Sequence, residues 1–264
     1  FLEFIKTIIC FFKVKYIFNL SSFDNIIIAT YHELPLYLVR FPRETYLINH
    51  NNLSGYYNSK NSLKKYIQRN IFKRYNHICL SKNSKDYMLK LTDNKVCYIQ
   101  HGLPEPFIND IDENCIINNI IDLKNKFIFI PSLRNCDINF FEKLLNSDEL
   151  SKFLEQNRLE LIILSKKIFN IKLHNRNIKF IESWLNKNDY KVLFKNAKLI
   201  VLNYSDSFKY RSSGVFFECV SNNKKFITNY VDFLDDYKFY NIGNIIYNDL
   251  NSFIRLLKNE IYYS

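Results

Sequence analysis

The stretch KLIVLNYSDSFKYRSSGVFFECVSNNKKFIT, residues 198–228, decides the fold. Its short apolar run Lys198–Leu202 predicts a buried strand, which a polar loop follows. The apolar segment Ser213–Ser221 predicts a helix, and Lys225–Thr228 predicts the next strand. Strand, loop, helix and strand in this order are typical of a parallel α/β sheet, in which ligands bind beyond the carboxyl ends of the strands.

The start of the predicted helix has the chemistry of a diphosphate site. Ser212 or Ser213 can cap the helix, and Gly214 lets a ligand approach the backbone closely. The free amides and the positive end of the helix dipole favour an anion there. Arg211 adds a forked donor for phosphate oxygens, and Glu218, one turn along, can accept hydrogen bonds from two ribose hydroxyls.

The same alternation of strands and helices extends over the rest of the chain, and we predict an α/β protein with helices on both faces of parallel sheets. Predicted strands are Asn25–Thr30, Thr45–Asn49, His77–Ser81, Val96–Gln100, Lys126–Pro131, Glu160–Leu164 and Asn177–Phe180. Predicted helices are Asn61–Tyr75, Lys82–Leu91, Asn139–Gln156 and Lys187–Asn196. A loop rich in turn formers, His101–Asp110, and the polar stretch Asp112–Asn125 predict two domains, residues 1–122 and 123–264.

Composition narrows the class of function. The 264 residues include 37 Lys and Arg against 26 Asp and Glu, a net charge of +11. We do not expect nucleic-acid binding, because this charge is spread along the chain and forms no dense basic block. The six cysteines are scattered without metal-ligand spacing, so we expect reduced thiols in a cytoplasmic protein. The opening apolar segment is interrupted by lysines and predicts a helix that packs on a sheet or lies at a membrane surface.

The run from Ile178 to Thr228 resembles the carboxyl-terminal domain of GT-B glycosyltransferases, in particular the family 4 or group 1 enzymes that build bacterial surface polysaccharides. The resemblance implies two Rossmann-like domains that face each other across a cleft. Glu218 matches the family glutamate that binds the nucleotide ribose. Tyr210 falls where the family has an acidic residue that contacts the donor sugar, so we place it among the donor-binding residues. The chain lacks a glycine-rich opening loop, and we allow for an incomplete amino-terminal domain.

The resemblance also extends to shorter motifs. LINHNN is similar to the loop that carries a histidine near the reacting centre, which makes His50 the catalytic candidate. VCYIQHGLP resembles the linker between the domains, with the pair His101 and Gly102. PSLRN matches the place where an arginine contacts the donor diphosphate, here Arg134, and Lys166 is a second candidate for that contact.

The resemblance therefore implies a glycosyltransferase that moves a sugar from a nucleoside-diphosphate sugar to a glycan or lipid-linked acceptor, in capsule, lipopolysaccharide or other surface polysaccharide synthesis. We expect no metal ion and no cofactor besides the donor. We also expect peripheral association with an anionic membrane at the inner face of the plasma membrane. Two alternatives stay open: a polyol-phosphate transferase of the same fold, which YIQHGLP also resembles, and a GT-B-like partner subunit without catalytic activity.

Overall fold

The computed structural model describes residues 2–17, 20–107, 125–133, 136–165, 175–182, 185–240 and 245–262. They divide into two compact units. The first comprises Phe1–His101 and Ser207–Ser212, and the second comprises Gly102–Asp206 and Ser213–Ser264. The predicted domain boundary between residues 122 and 123 lies outside the described residues.

The first unit holds a parallel sheet with the strand order β1-β2-β3-β4. Its elements are α1 (Leu2–Ile17), β1 (Ile27–Ile28), α2 (Glu33–Val39), β2 (Tyr46–Asn49), α3 (Asn52–Asn58), α4 (Ser62–Arg74), β3 (Asn76–Cys79), α5 (Lys82–Leu89) and β4 (Val96–Tyr98). The predicted strands and the two predicted helices of this half are confirmed. Helices α2 and α3 were not predicted, because their seven residues each are too few to show a helical period.

One side of the opening helix packs on this unit. Phe11 meets Phe41 edge to face, with ring centroids 5.7 Å apart, and the Lys15 ammonium donates to the Val39 carbonyl at 2.9 Å. Tyr16 and Ile17 at the end of α1 are exposed. The opening helix therefore packs against the end of α2, whereas we predicted that it packs on a sheet or lies at a membrane surface. None of the described helices is long and apolar enough to cross a membrane.

A buried network of side-chain hydrogen bonds links β2 and β3. The Tyr31 hydroxyl donates to Oδ1 of Asn49 at 2.8 Å, and Nδ2 of Asn49 lies 3.1 Å from Nδ1 of His77. The other ring nitrogen of His77 lies 3.0 Å from the Phe72 carbonyl oxygen. His77 is fully buried, and burial lowers its pKa from 6.5 to about 4. The imidazole is therefore neutral in the folded protein at neutral pH.

The second unit holds a six-stranded parallel sheet with the order β10-β9-β8-β5-β6-β7. Its elements are β5 (Lys126–Ile130), α6 (Ile138–Leu145), α7 (Asp148–Gln156), β6 (Leu159–Leu164), β7 (Ile178–Ile181), α8 (Lys187–Asn196), β8 (Leu199–Leu202), α9 (Gly214–Ser221), β9 (Phe226–Asn229), β10 (Ile246–Tyr247) and α10 (Leu250–Tyr262). The predicted strands of this half are confirmed. The final strand and helix, β10 and α10, were missed.

The single helix predicted over Asn139–Gln156 was wrong. The chain forms two helices, because Asn146 ends α6 and Ser147 caps α7, with its Oγ accepting from the Leu150 amide at 3.3 Å. Serine competes with the helix backbone for hydrogen bonds, which favours a new start at this position.

Helices cover both faces of this sheet, as predicted. Side chains that alternate along the strands, such as Ile128, Ile130 and Val201, share one core with α6, α7 and α10. The intervening residue Phe129 faces the other way and meets Tyr190 of α8, with ring centroids 6.2 Å apart. A strand buried on both faces explains the nearly continuous apolar sequence of β5 and β8.

We predict that His77 makes the free energy of unfolding depend on pH. Between pH 6.5 and 4 the unfolded chain binds a proton on this imidazole and the folded chain does not, so the free energy of unfolding falls as the pH is lowered. The two pKa values correspond to about 3 kcal/mol. Urea unfolding at pH 7 and pH 4.5 measures the fall, which His77→Gln should reduce. The exposed His32→Gln is the control and should keep the wild-type fall, and an equal fall in His77→Gln contradicts the prediction.

Candidate functional site

The strand order of the second unit creates a crevice at the carboxyl edge of its sheet. From β5 the chain moves to one side through β6 and β7, then crosses to the other side at β8 and continues to β9 and β10. The loops after β5 and β8 therefore leave the sheet in opposite directions, and ligands of open α/β sheets bind at such a switch point.

Hydrogen bonds from the buried side-chain amide of Asn203 hold these two loops together. Oδ1 of Asn203, directly after β8, accepts from the Asp137 amide in the β5 loop at 2.8 Å. Nδ2 of Asn203 donates to the Tyr247 hydroxyl at 2.9 Å, and this hydroxyl donates to the Leu202 carbonyl at 2.9 Å. Since Asn203 is 7% exposed, this network fixes the backbone at the floor of the crevice.

The side-chain amide of Asn229 fixes the backbone of Tyr204, the next residue of the loop after β8. The Tyr204 amide donates to Oδ1 of Asn229 at 2.8 Å, and Nδ2 of Asn229 donates to the Tyr204 carbonyl at 2.7 Å. Asn229 ends β9, so two neighbouring strands hold the start of this loop. The roles of Asn203, Asn229 and Tyr247 were not predicted, because isolated Asn and Tyr residues form no recognisable sequence pattern.

The start of α9 has the predicted geometry. Ser213 is the N-cap, and its Oγ accepts from the Phe216 amide at 3.3 Å. The amides of Gly214 and Val215 precede the first donors that the helix itself can satisfy, so they are available to a ligand. A Cβ added to Gly214 would meet nothing within 4 Å. There is therefore open space beside Gly214 in the first turn of the helix.

Glu218 lies one turn further along α9 and is held by a tyrosine. Its Oε2 accepts from the Tyr190 hydroxyl at 2.7 Å. Burial raises the pKa of Glu218, and the hydrogen bond from Tyr190 acts in the opposite direction. Burial and the neighbouring Glu218 carboxylate raise the pKa of Tyr190, which keeps that hydroxyl a donor. The contact was missed because 28 residues separate the two side chains.

Tyr210 belongs to the core of the first unit. Its ring stacks on Tyr87 with centroids 4.2 Å apart, meets Tyr57 edge to face at 5.1 Å, and is 8% exposed. The guanidinium of Arg211 lies 4.6 Å from the Phe208 ring centroid. Of the predicted donor residues, Tyr210, Arg211 and Ser212 thus lie in the first unit, whereas Ser213, Gly214 and Glu218 lie together on α9 of the second. Their assignment to donor binding stays a prediction.

The other predicted site residues are spread along the chain. His50 is exposed in the loop after β2. His101 ends the first of the two segments that form the first unit, and Gly102 begins the second unit. Arg134 and Lys166 lie outside the described residues.

The expectation of no metal ion also stays a prediction. Among the described residues no group of His, Cys, Asp and Glu could hold a metal. Asp110 and Asp112, whose carboxylates are of the type that binds divalent cations, lie outside them.

Comparisons with solved structures identify the fold. No protein-family model matches the sequence, and no curated protein matches it. The UDP-forming α,α-trehalose-phosphate synthase of Burkholderia xenovorans aligns with 98% of this chain and 70% of its own, with a TM-score of 0.65 and 11% identity. HepE of Anabaena, in complex with UDP and glucose, aligns with 88% of this chain and 65% of its own, with a TM-score of 0.56 and 13% identity. The UDP-GlcNAc 2-epimerase of Neisseria meningitidis, bound to UDP-GlcNAc, aligns with 98% of this chain and 73% of its own, with a TM-score of 0.56 and 14% identity.

The chain therefore has the GT-B fold, and this part of the resemblance is confirmed. The assignment to family 4 stays a prediction, because identities between 11% and 14% establish the fold alone.

We predict that Tyr190→Phe raises the pKa of Glu218 further, because the hydrogen bond that stabilises the carboxylate is lost. A ¹³C NMR titration of the glutamate carboxyl groups measures the change. Tyr230→Phe is the matched control, since its hydroxyl donates to Asp235 at 2.8 Å and should leave Glu218 unchanged. An unaltered Glu218 titration in Tyr190→Phe would show that the bond does not form in solution.

Proposed function

We propose that the chain is a glycosyltransferase that takes its sugar from a nucleoside-diphosphate sugar and transfers it to a glycan or lipid-linked acceptor, in capsule, lipopolysaccharide or other surface polysaccharide synthesis. The observation that carries the proposal is the start of α9. Open space over Gly214, two available amides and the Glu218 carboxylate lie along one helix at the switch point of the sheet.

The spacing on α9 suits a nucleoside diphosphate. Gly214 and Glu218 are four residues apart, so they lie on one face of the helix and about 6 Å apart along its axis. The diphosphate would accept from the amides of Gly214 and Val215, and the two ribose hydroxyls would donate to Glu218. The Tyr190 contact at 2.7 Å orients this carboxylate before the donor arrives, which lowers the entropy cost of binding.

The proposed chemistry is stabilisation of the leaving group. The bond between the anomeric carbon and the diphosphate oxygen breaks, and the oxygen keeps the electron pair. An acceptor hydroxyl forms the new bond to the anomeric carbon and releases its proton to water. Negative charge grows on the diphosphate, so the fixed amides of α9 bind the transition state more tightly than the ground state. We assign Arg211, Arg134 and Lys166 to the same anion, which is why the proposal needs no metal ion, and His50 to the acceptor side.

The comparisons support the donor class. Two of the similar structures, HepE and the epimerase, were solved with UDP and with a UDP-sugar bound, respectively. The net charge of +11 supports a location at the anionic inner face of the plasma membrane, where a lipid-linked acceptor would be found.

One observation favours a second candidate, a nucleotide-binding subunit without transferase activity. Tyr210 stands where the resembled family has an acidic residue, and its ring is 8% exposed against Tyr87. It therefore supplies no carboxylate to a donor sugar. Nucleotide binding without turnover, together with stable co-purification of another glycosyltransferase, would establish this candidate. A cytidine-diphosphate polyol as the preferred donor would instead establish the polyol-phosphate transferase.

We predict that Gly214→Ala weakens nucleotide binding at no cost to the fold. The residue has no left-handed φ and its Cβ would meet no protein atom, so the free energy of unfolding should stay the same or rise by up to about 1 kcal/mol. The added methyl group would occupy the space proposed for the diphosphate. Calorimetric titration with UDP, GDP, CDP and ADP measures affinity, and Gly55→Ala in α3 is the control. Unchanged affinity for every nucleotide that binds the wild type would refute the placement of the diphosphate.

We predict that Glu218→Gln weakens donor binding by about tenfold or more, because charged acceptors make the stronger hydrogen bonds. Wild-type affinity should also fall as the pH drops through the raised pKa of Glu218, and the variant should lose this dependence. Titrations from pH 8 to pH 5 with the sugar derivative of the preferred nucleotide, which has no phosphate that titrates in this range, measure both effects. Glu142→Gln, an exposed carboxylate on α6, should behave as the wild type. Equal affinities in the wild type and Glu218→Gln would exclude the ribose contact.

A further inference from the structure

A basic pocket lies in the first unit, and none of its lining residues belongs to the candidate site described above. Its volume is about 570 Å³, and it is lined by four cationic side chains, Arg40, Arg43, Lys73 and Arg74, with Glu44 as the one carboxylate in its lining. These residues lie at the ends of α2 and α4 and just before β2. They therefore mark the amino edge of the sheet, one strand length from His50, which follows the carboxyl end of β2.

The positive charge of this pocket exceeds what its surroundings neutralise. Within the part of the chain that the structure describes, none of the four cations is in an ion pair. The carboxyl ends of α2 and α4 each carry about half a negative charge, so together they offset about one of the four positive charges. Glu44 offsets another. About two positive charges are left for a ligand in the pocket.

Arg74 is held in a fixed orientation at the wall of the pocket. Its Nη2 donates to the Phe41 carbonyl at 3.3 Å, and its guanidinium lies 5.6 Å from the Tyr75 ring centroid. The Tyr75 hydroxyl in turn accepts from the Phe41 amide at 3.0 Å. Nε of Arg74 is buried and lacks an acceptor among the described residues. The Arg74 guanidinium therefore has one N–H donor, at Nε, without an acceptor among the described residues, which is uncommon for a buried polar group.

Arg40 adds a second sign of a functional position. It has a φ of 54° at the end of α2, in the left-handed region where glycine is favoured. An arginine in this conformation costs folding energy, and such local costs are typical of ligand sites.

We propose that this pocket binds a phosphate group, carried either by a soluble phosphorylated compound or by a lipid headgroup. The forks of Arg40, Arg43 and Arg74 suit phosphate oxygens, and Lys73 adds a point charge. The site is separate from the nucleotide site proposed on α9, so either proposal can fail alone.

The test compares two charge-matched double variants. Arg43→Gln with Lys73→Gln removes two exposed pocket cations, and Arg69→Gln with Lys64→Gln removes two exposed cations of α4 outside the pocket lining. In phosphate-free buffer, pyrophosphate and glycerol phosphate are titrated into ¹⁵N-labelled protein. The amides of Asn76 and Asn94 report on this pocket, and those of Gly214 and Val215 report on α9. In parallel, flotation measures binding to phosphatidylglycerol vesicles and to neutral phosphatidylcholine vesicles.

Saturable shifts at Asn76 and Asn94, weakened about tenfold or more in the pocket variant and less than about twofold in the control, support a soluble phosphate ligand. Binding to phosphatidylglycerol vesicles alone, with the same difference between the variants, supports a lipid headgroup. Equal losses in both variants would mean diffuse surface charge and overturn the proposal. So would the absence of binding to both probes.

A third variant separates ligand binding from a structural role. Arg40→Gly removes one pocket cation and also relieves the left-handed backbone. We expect it to bind the phosphate probe less tightly while its unfolding temperature stays the same or rises. A lower unfolding temperature with unchanged phosphate binding would assign Arg40 to the fold and contradict the proposal.

Discussion

The structure of the second unit depends on one constraint, the burial of the four apolar residues of the central strand β5. Phe127, Ile128, Phe129 and Ile130 are each at most 1% exposed, so both faces and both edges of the strand need cover. Helices cover the two faces of β5, and β6 and β8 pair with its two edges. Placing one neighbour on each side is what reverses the strand order and opens the crevice. The candidate nucleotide site thus follows from how an apolar strand is buried.

The polar groups around that crevice are positioned by the strands rather than by the loops themselves. Asn203 directly follows a buried strand, accepts from the Asp137 amide and donates to the Tyr247 hydroxyl. Asn229 ends a buried strand and holds the backbone of Tyr204 through two hydrogen bonds. Glu218 is held in the same way by Tyr190 of the adjacent helix. Rigid elements therefore carry the amides and the carboxylate of the candidate site, so their positions are fixed before any ligand binds.

Local pattern predicted most of the fold and part of the site. The apolar runs gave nearly every strand of the described residues, and the serine and glycine before an apolar segment gave the start of α9. The sequence pattern did not reveal side-chain contacts between residues that are far apart in the chain. Tyr210 is buried by Tyr57 and Tyr87, more than 100 positions earlier, and the contact of Tyr190 with Glu218 spans 28 positions. The break at Ser147 was missed because a cap inside a long apolar period looks like a solvent-facing helix residue.

The chain path between the units has its own consequence. It leaves the first unit after His101, returns to it for Ser207–Ser212, and enters the second unit again at Ser213. Ser54 and Asn83 donate to the carbonyls of Ser207 and Lys209, which fixes this short excursion to the first unit. Neither unit is therefore a contiguous fragment. A gene divided after residue 101 would encode a first fragment whose aromatic core lacks Tyr210. The second fragment would carry residues 207–212 before α9 without the unit against which they pack.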